Sequence, residues 1–251
     1  LSLLLSAALG LSFGLSGFSE DRSCYFNDEE NHVYASGPAE SRKIALTFDD
    51  GPHPCYTDEI LDILKEYKVK ATFFVIGQNA EYYPEPLKRT VAEGHSVGSH
   101  TFSHRHLKNL NEEQLRKEFA QNRQTLEKFG VCPVLFRPPE GVCDRKVLKV
   151  AHENGCDIIL WSVDTGDWRC PALESILSNV RRNVKGGEII LMHDYVSGNS
   201  QTPAALRTLL PELLKKGYVF VTVEELIGRN KTEEKQNRKL CPLYTVIKAS
   251  I

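Results

Sequence analysis

The stretch Lys43-Ile44-Ala45-Leu46-Thr47-Phe48-Asp49-Asp50-Gly51-Pro52 decides the reading of this chain. Its first part is a short apolar run with the length and composition of a buried strand. Two adjacent carboxylates, Asp49 and Asp50, close it. Carboxylates at the end of a buried strand are costly to desolvate unless a metal ion or an arginine compensates them. Taken alone, Asp49-Asp50-Gly51-Pro52 reads as a turn, because Asp, Gly and Pro all favour turns. Polar clusters at later strand ends reverse that judgement.

Outward from this stretch, apolar strand-like runs alternate with amphipathic ones. Strands are expected over 43–48, 70–76, 95–99, 133–136, 156–163, 187–192 and 218–223. Helices are expected near 56–67, 84–93, 111–129, 145–153, 172–183 and 203–216. Ile60, Leu61, Ile63, Leu64 and Tyr67 have helical spacing, as do Leu206, Leu209, Leu210, Leu213 and Leu214. Gly94, Gly155 and Gly217 stand where helix C-caps belong. Repeated strand–helix alternation implies a parallel sheet with right-handed crossovers. About seven such units point to an α/β fold of one domain, a distorted or incomplete (β/α) barrel. An open doubly wound sheet is the alternative. No GxGxxG follows the first strand, which disfavours its dinucleotide-binding version.

In such barrels, chemistry sits at the C-terminal ends of the strands. Asp49 and Asp50 end the first strand, His100 and His104 follow the third, and Arg137 ends the fourth. Asp164 and Asp167 end the fifth and His193 the sixth. The unusual polar residues thus converge on one rim.

His100-Thr101-Phe102-Ser103-His104 places two imidazoles four residues apart. On a helical turn they would share a face and grip one metal, and an aspartate would complete a two-His, one-carboxylate set with open positions. His95 lies inside an expected strand and reads as a core or supporting residue, and His106 is not expected to be a ligand. Arg137-Pro138-Pro139-Glu140-Gly141 is a rigid turn, since two prolines fix the backbone beside the arginine. Trp168, one of two tryptophans, follows Asp167 and would either stack on a sugar ring or simply pack. A lone histidine ending a buried strand is usually a satisfied core residue; beside Asp167, His193 becomes a candidate general acid.

The chain has 251 residues, 41% hydrophobic and 25% charged, ordinary for one sizeable core. A net charge of −2, with Lys and Arg scattered, argues against a dedicated nucleic-acid binder. Residues 1–19 carry no charge and read as the apolar region of a secretory leader, with a membrane anchor as the rival. A secreted or cell-surface location is therefore expected, with membrane contact only through an uncleaved leader. Seven cysteines suit an oxidising compartment; none forms a CxxC pair, and the position of Cys24 and Cys241 suggests a bridge clipping the termini together. Residues 20–42 read as a polar lead-in, 43–228 as the domain, and 229–251 as a tail whose first part is charged, with a glycosylation sequon at Asn230-Lys231-Thr232.

Five motifs in order, TFDDG at 47–51, HTFSH at 100–104, RPPEG at 137–141, DTGDW at 164–168 and LMH at 191–193, resemble the polysaccharide deacetylase (NodB-homology, carbohydrate esterase 4) family. The resemblance spans about residues 42–227, and the TFDDGPHP wording is most similar to chitin and chitooligosaccharide deacetylases. It implies a distorted (β/α) barrel and a divalent metal, usually zinc and sometimes cobalt or nickel, held by Asp50, His100 and His104. It further implies Asp49 as base, Arg137 as its orienting partner, His193 as acid supported by Asp167, and the amide of residue 140 as oxyanion donor. Pro139, Glu140 and Trp168 would border the substrate, a chitin-like polysaccharide or oligosaccharide.

One position departs from the family pattern. Glu140 stands where the family commonly has tyrosine. A further carboxylate facing Asp49 and Asp50 would raise their pKa values or block the metal. The expectation is therefore an N-acetylglucosamine deacetylase. The alternatives are an impaired homologue that binds wall polysaccharide and an esterase acting on O-acetyl groups.

Overall fold

The apolar run that opens the chain's chemistry forms β2 (Lys43–Asp49), buried from Ile44 to Asp49. The structure, a computed structural model, describes residues 27–229. The leader, the Cys24–Cys241 pairing, the sequon and the tail beyond Arg229 lie outside the described residues; Cys132 is disulfide-bonded. The other strands are β1 (Val33–Tyr34), β3 (Thr72–Val75), β4 (Ser96–Ser99), β5 (Leu135–Phe136), β6 (Asp157–Ile159), β7 (Val163–Asp164), β8 (Ile189–His193) and β9 (Val219–Phe220). They pair in the order β1-β6-β5-β4-β3-β2-β8-β7, with β9 alongside β2, and every ladder is parallel. The eight strands of this path curl into a half-barrel wrapped by helices, one domain as expected.

The helices are α1 (Tyr56–Glu66), α2 (Gly77–Tyr82), α3 (Pro84–Ala92), α4 (Glu112–Glu127), α5 (Arg145–Glu153), α6 (Leu173–Asn183), α7 (Thr202–Lys215) and α8 (Val223–Leu226). Gly94, Gly155 and Gly217 all take positive φ just past helix ends, the left-handed conformation that glycine adopts without a Cβ penalty. Asn111 and Gln114 form a reciprocal capping box that starts α4.

Three expectations need correction. The lead-in contributes β1, which adds to the sheet beside β6. The run expected as one strand over 156–163 breaks in two, β6 beside β5 and β7 beside β8. The break falls where Arg137 takes the carbonyls of Ile159 and Leu160, so those groups are satisfied by a side chain rather than a neighbouring strand. The run at 218–223 keeps only two strand residues, because the Thr222 hydroxyl caps α8 by accepting from the Glu225 amide.

Strand alternation then places the chemistry. Ile44, Leu46 and Phe48 pack outward with Ile60, Leu64, Leu206 and Leu210 from the helices. Ala45 faces the other way, into the cluster that holds Phe74, Phe136, Ile158, Ile189 and Leu191. Since side chains alternate along a strand, Asp49 shares the face of Ala45, and His193 that of Ile189 and Leu191. The β2–β8 register sets Asp49 directly beside His193.

Candidate functional site

The Asp49-Asp50-Gly51 turn is held at each of its three carbonyls. Asp49 O accepts from the Asp194 amide at 3.2 Å, Asp50 O from Asn79 Nδ2 at 2.7 Å, and Gly51 O from the Ile76 amide at 3.1 Å. This holding is needed, because Asp50 has φ of 73°, a left-handed conformation strained for a side chain with a Cβ. Thr101, His104 and Glu140 also take positive φ. Four such residues around one rim mark a backbone bent for a purpose other than packing.

Asp50, His100 and His104 converge as expected, their ligating atoms all within 4.8 Å of one another. Asp50 Oδ1 lies 3.4 Å from His100 Nε2 and 3.4 Å from His104 Nε2. That oxygen is buried without a hydrogen-bond partner among the described residues. Two donor atoms bound tetrahedrally to one zinc at about 2.1 Å would stand about 3.4 Å apart, so the set has the spacing of a metal site. His100 is oriented from behind, its Nδ1 lying 2.7 Å from the Arg137 carbonyl, which turns Nε2 toward Asp50.

The two histidines do not share a helical face; residues 100–104 form a loop. Helix α4 builds it. Glu118 accepts from the Phe102 and Ser103 amides at 3.0 and 2.8 Å and from Ser103 Oγ at 2.6 Å. Asn122 donates to the carbonyls of Val75 and Thr101 at 2.9 and 2.6 Å. Glu118 and Asn122 are buried polar residues that the sequence reading missed. Their signal was a carboxylate and an amide on the apolar face of α4.

Arg137 is 0% exposed. Its Nη1 donates to Asp49 Oδ1 and Thr47 Oγ1, both at 2.7 Å, and the Phe74 ring lies 4.1 Å from its Cζ. Asp49 Oδ2 is left facing the histidines, 3.9 Å from His100 Nε2. His193 Nδ1 lies 2.8 Å from Asp167 Oδ1, while Asp167 Oδ2 accepts from the His193 amide at 2.8 Å and from Thr202 Oγ1 at 2.7 Å. Asp167 is therefore held at both of its oxygens.

Burial alone would lower the proton affinity of His193, but the Asp167 hydrogen bond and charge, with Asp49 and Asp50, carry its pKa up to about 9. Burial opposes the charge on Asp50 too, yet His100, His104 and His193 hold its pKa below the ordinary value. His100 is raised, since Asp49 and Asp50 overcome its burial; His104 is lowered by burial and by His100. Burial pushes the neighbouring Asp194 up to about 7.

Glu140 does not close on Asp49 and Asp50. With φ of 58° its side chain swings outward, 56% exposed, and its Oε2 pairs with His106 Nε2 at 3.1 Å. His106 is thus occupied outside the three-residue set, and His95 is a buried core residue whose Nδ1 accepts from the Ala71 amide. Pro139 is buried at the start of a one-turn helix, where the first amides have no partner within the turn. Trp168 is 49% exposed with the Arg169 guanidinium 4.5 Å from its ring centre. Asp164 caps its own turn by accepting from the Gly166 amide and does not join the site.

Comparison with known proteins gives the same assignment. Residues 36–159 match the family model "Polysaccharide deacetylase". A peptidoglycan-N-acetylglucosamine deacetylase of Bacillus cereus is 45% identical over 192 residues, 76% of this chain and 90% of that protein. The crystal structure of the Bc1960 peptidoglycan N-acetylglucosamine deacetylase superposes with a TM-score of 0.78 at 40% identity, covering 81% of this chain and 96% of that one. BA3943, described as a CE4 family pseudoenzyme from Bacillus anthracis, superposes with a TM-score of 0.73 at 30% identity, covering 78% of this chain and 68% of that one.

Proposed function

The chain belongs to the polysaccharide deacetylase family, and we propose that it is a secreted, metal-dependent enzyme that removes acetyl groups from N-acetylglucosamine units of peptidoglycan. The observation that carries the reading is Asp50 Oδ1, buried, without a hydrogen-bond partner among the described residues, and 3.4 Å from both imidazole nitrogens. A carboxylate oxygen desolvated in this way is stabilised by a cation at that point. Asp50, His100 and His104 would hold the metal. When bound, it supplies Lewis-acid polarisation of the acetyl carbonyl and acidifies water.

The chain's own residues carry the protons. Asp49, aimed by Arg137 through Oδ1, presents Oδ2 to take a proton from the attacking water. As the water oxygen bonds to the acetyl carbon, negative charge develops on the carbonyl oxygen, and the Glu140 amide, which has no partner within its turn, would be the donor for it. The carbon–nitrogen bond then breaks. His193 gives its proton to the departing amine, and its pKa near 9 keeps it loaded at neutral pH. Asp167 stabilises the charged ring and holds Nδ1, so the transferable proton is on Nε2. The products are acetate and a glucosamine unit, and Trp168 offers an exposed ring for the sugar.

Peptidoglycan is preferred to chitin on the name and identity of the Bacillus cereus relative. The impaired, binding-only reading rests on Glu140; its carboxylate pairs with His106 rather than closing on Asp49 and Asp50, while its charge still reaches His104. The deciding experiment is acetate release from peptidoglycan and from chitooligosaccharides, before and after chelation and with zinc restored. Release that needs metal supports the proposal. No release from either substrate with metal bound would leave the binding reading standing instead.

A further inference from the structure

We infer that Asp194 is a positioning residue: its carboxylate is the buttress that keeps Asp50 in the left-handed backbone from which it faces His100 and His104. The inference rests on the proposed metal site and adds a residue to it. Asp194 is 2% exposed and follows His193 at the end of β8. Proton transfer in the proposed reaction makes no use of it, yet a carboxylate is costly to bury without a task.

Its surroundings define that task. Oδ2 accepts from Thr57 Oγ1 at 2.6 Å, and Thr57 is itself fixed by the His53 amide at 2.7 Å. The carboxylate packs directly against Gly51: a Cβ at that position would land on both of its oxygens. The Gly51 amide approaches the same group, and the Asp194 amide holds the Asp49 carbonyl. Asp194 therefore contacts the turn on both sides of Asp50. The peptide between Asp50 and Gly51 cannot rotate toward an ordinary conformation without moving a carboxylate anchored to α1. Residue 51 must be glycine for the same reason, and this requirement is one of space rather than of φ, since Gly51 is not among the positive-φ glycines.

The buttress acts by shape, and this distinguishes it from an electrostatic role. Asparagine has the shape of the carboxylate and keeps a carbonyl for the Thr57 bond, so it preserves the packing on Gly51 while removing the charge. Supporting groups behind metal ligands typically change metal affinity about 10–100-fold when removed.

The test is zinc affinity of the purified protein by chelator competition, with the visible spectrum of the cobalt form as a report of ligand geometry. Asp194→Ala is expected to weaken zinc binding about 10–100-fold and to alter the cobalt bands, while Asp194→Asn stays within about threefold of the parent with an unchanged spectrum. Should Asp194→Ala not fold, Thr57→Val removes only the anchoring hydrogen bond and is expected to weaken binding in the same direction by several-fold. Parent-like affinity and spectrum in both Asp194→Ala and Thr57→Val would overturn the inference. Equal loss in Asp194→Asn and Asp194→Ala would also overturn it, because charge rather than placement would then be at work. Failure of the underlying reading looks different: Asp50→Ala would leave zinc affinity unchanged in the parent background.

Discussion

Asp49 and His193 are register partners on the adjoining parallel strands β2 and β8. Base and acid of the proposed reaction therefore stand side by side on one strand pair rather than facing each other across a cleft. What separates their roles is the partner behind each. Asp49 is backed by the buried cation Arg137, and His193 by the buried anion Asp167. Asp167 favours the charged form of His193, and Arg137 fixes the direction of the Asp49 carboxylate, so both groups are aimed before substrate arrives.

The His193–Asp167 pair predicts the alkaline limb of the rate. With the His193 pKa near 9, kcat is expected to fall above about pH 9, and Asp167→Asn should bring that limb down toward the ordinary value of about 6.5. His193→Ala should keep its zinc and lose about 100-fold or more in turnover. The pair also contributes to stability. The folded pKa exceeds the unfolded one, so the contribution is complete below about pH 6.5 and is lost as pH rises through about 9. Urea melts at pH 6 and 9.5 on parent and Asp167→Asn read this directly; an identical pH response in both would refute it.

Arg137→Met tests the other partner. The substitution leaves Asp49 buried without its hydrogen-bonded guanidinium and frees the carbonyls of Ile159 and Leu160. Breaking a buried pair by removing one member costs about 3–5 kcal/mol, and turnover should fall at least 100-fold because Asp49 is no longer aimed. Arg137→Lys restores charge but not the fork that reaches both strands, so it should recover stability better than rate. Denaturant melts beside steady-state kinetics give both quantities.

Much of this site is legible in the chain because its residues fall at strand ends. Asp49, Arg137 and His193 are each the last or next residue of an apolar run, and strand parity alone turns Asp49 and His193 inward. The shape of the 100–104 loop is not legible, because it is dictated by Glu118 and Asn122, about 15–20 residues later on a helix whose pattern reads simply as amphipathic. The break between β6 and β7 is hidden for a similar reason. Residues 156–163 carry strand composition throughout, and only the side chain of Arg137 decides where pairing stops. Glu140 was misplaced because local sequence does not report a φ of 58° at a residue other than glycine.

That misplacement changes the expected behaviour of Glu140. Its carboxylate is exposed and paired with His106, and an exposed pair is worth about 0–1 kcal/mol. Glu140→Tyr should therefore leave Tm nearly unchanged and alter kcat/KM by less than about threefold. A tenfold or larger gain in activity would show that Glu140 restrains the reaction after all.

Metal binding should register as stability. Asp50 Oδ1 is buried without a hydrogen-bond partner among the described residues, and a ligand that binds only the folded state stabilises it by about 2.7 kcal/mol at 100 times its Kd. Zinc at that excess should raise the Tm of the chelated protein by several degrees, and Asp50→Ala or His104→Ala should abolish most of the rise. A full rise in Asp50→Ala would place the ion elsewhere.

His95 sets the acid limb of stability. It is buried against Phe73, and its Nδ1 is occupied by the Ala71 amide. Burial lowers its pKa to about 4; Lys70 and Arg89 add to the shift and Glu93 opposes it. Here the unfolded chain takes up the proton first, at about pH 6.5, so this site destabilises the protein progressively as pH falls from about 6.5 to 4. The loss is on the order of 3 kcal/mol across that window, taking about 1.4 kcal/mol for each pKa unit. His95→Gln retains an acceptor for the Ala71 amide but cannot titrate. Its stability should be lower than the parent's at pH 7, through poorer packing on Phe73, yet decline less between pH 6.5 and 4. Equal slopes for the two proteins in urea melts over that range would show that His95 is not the group responsible.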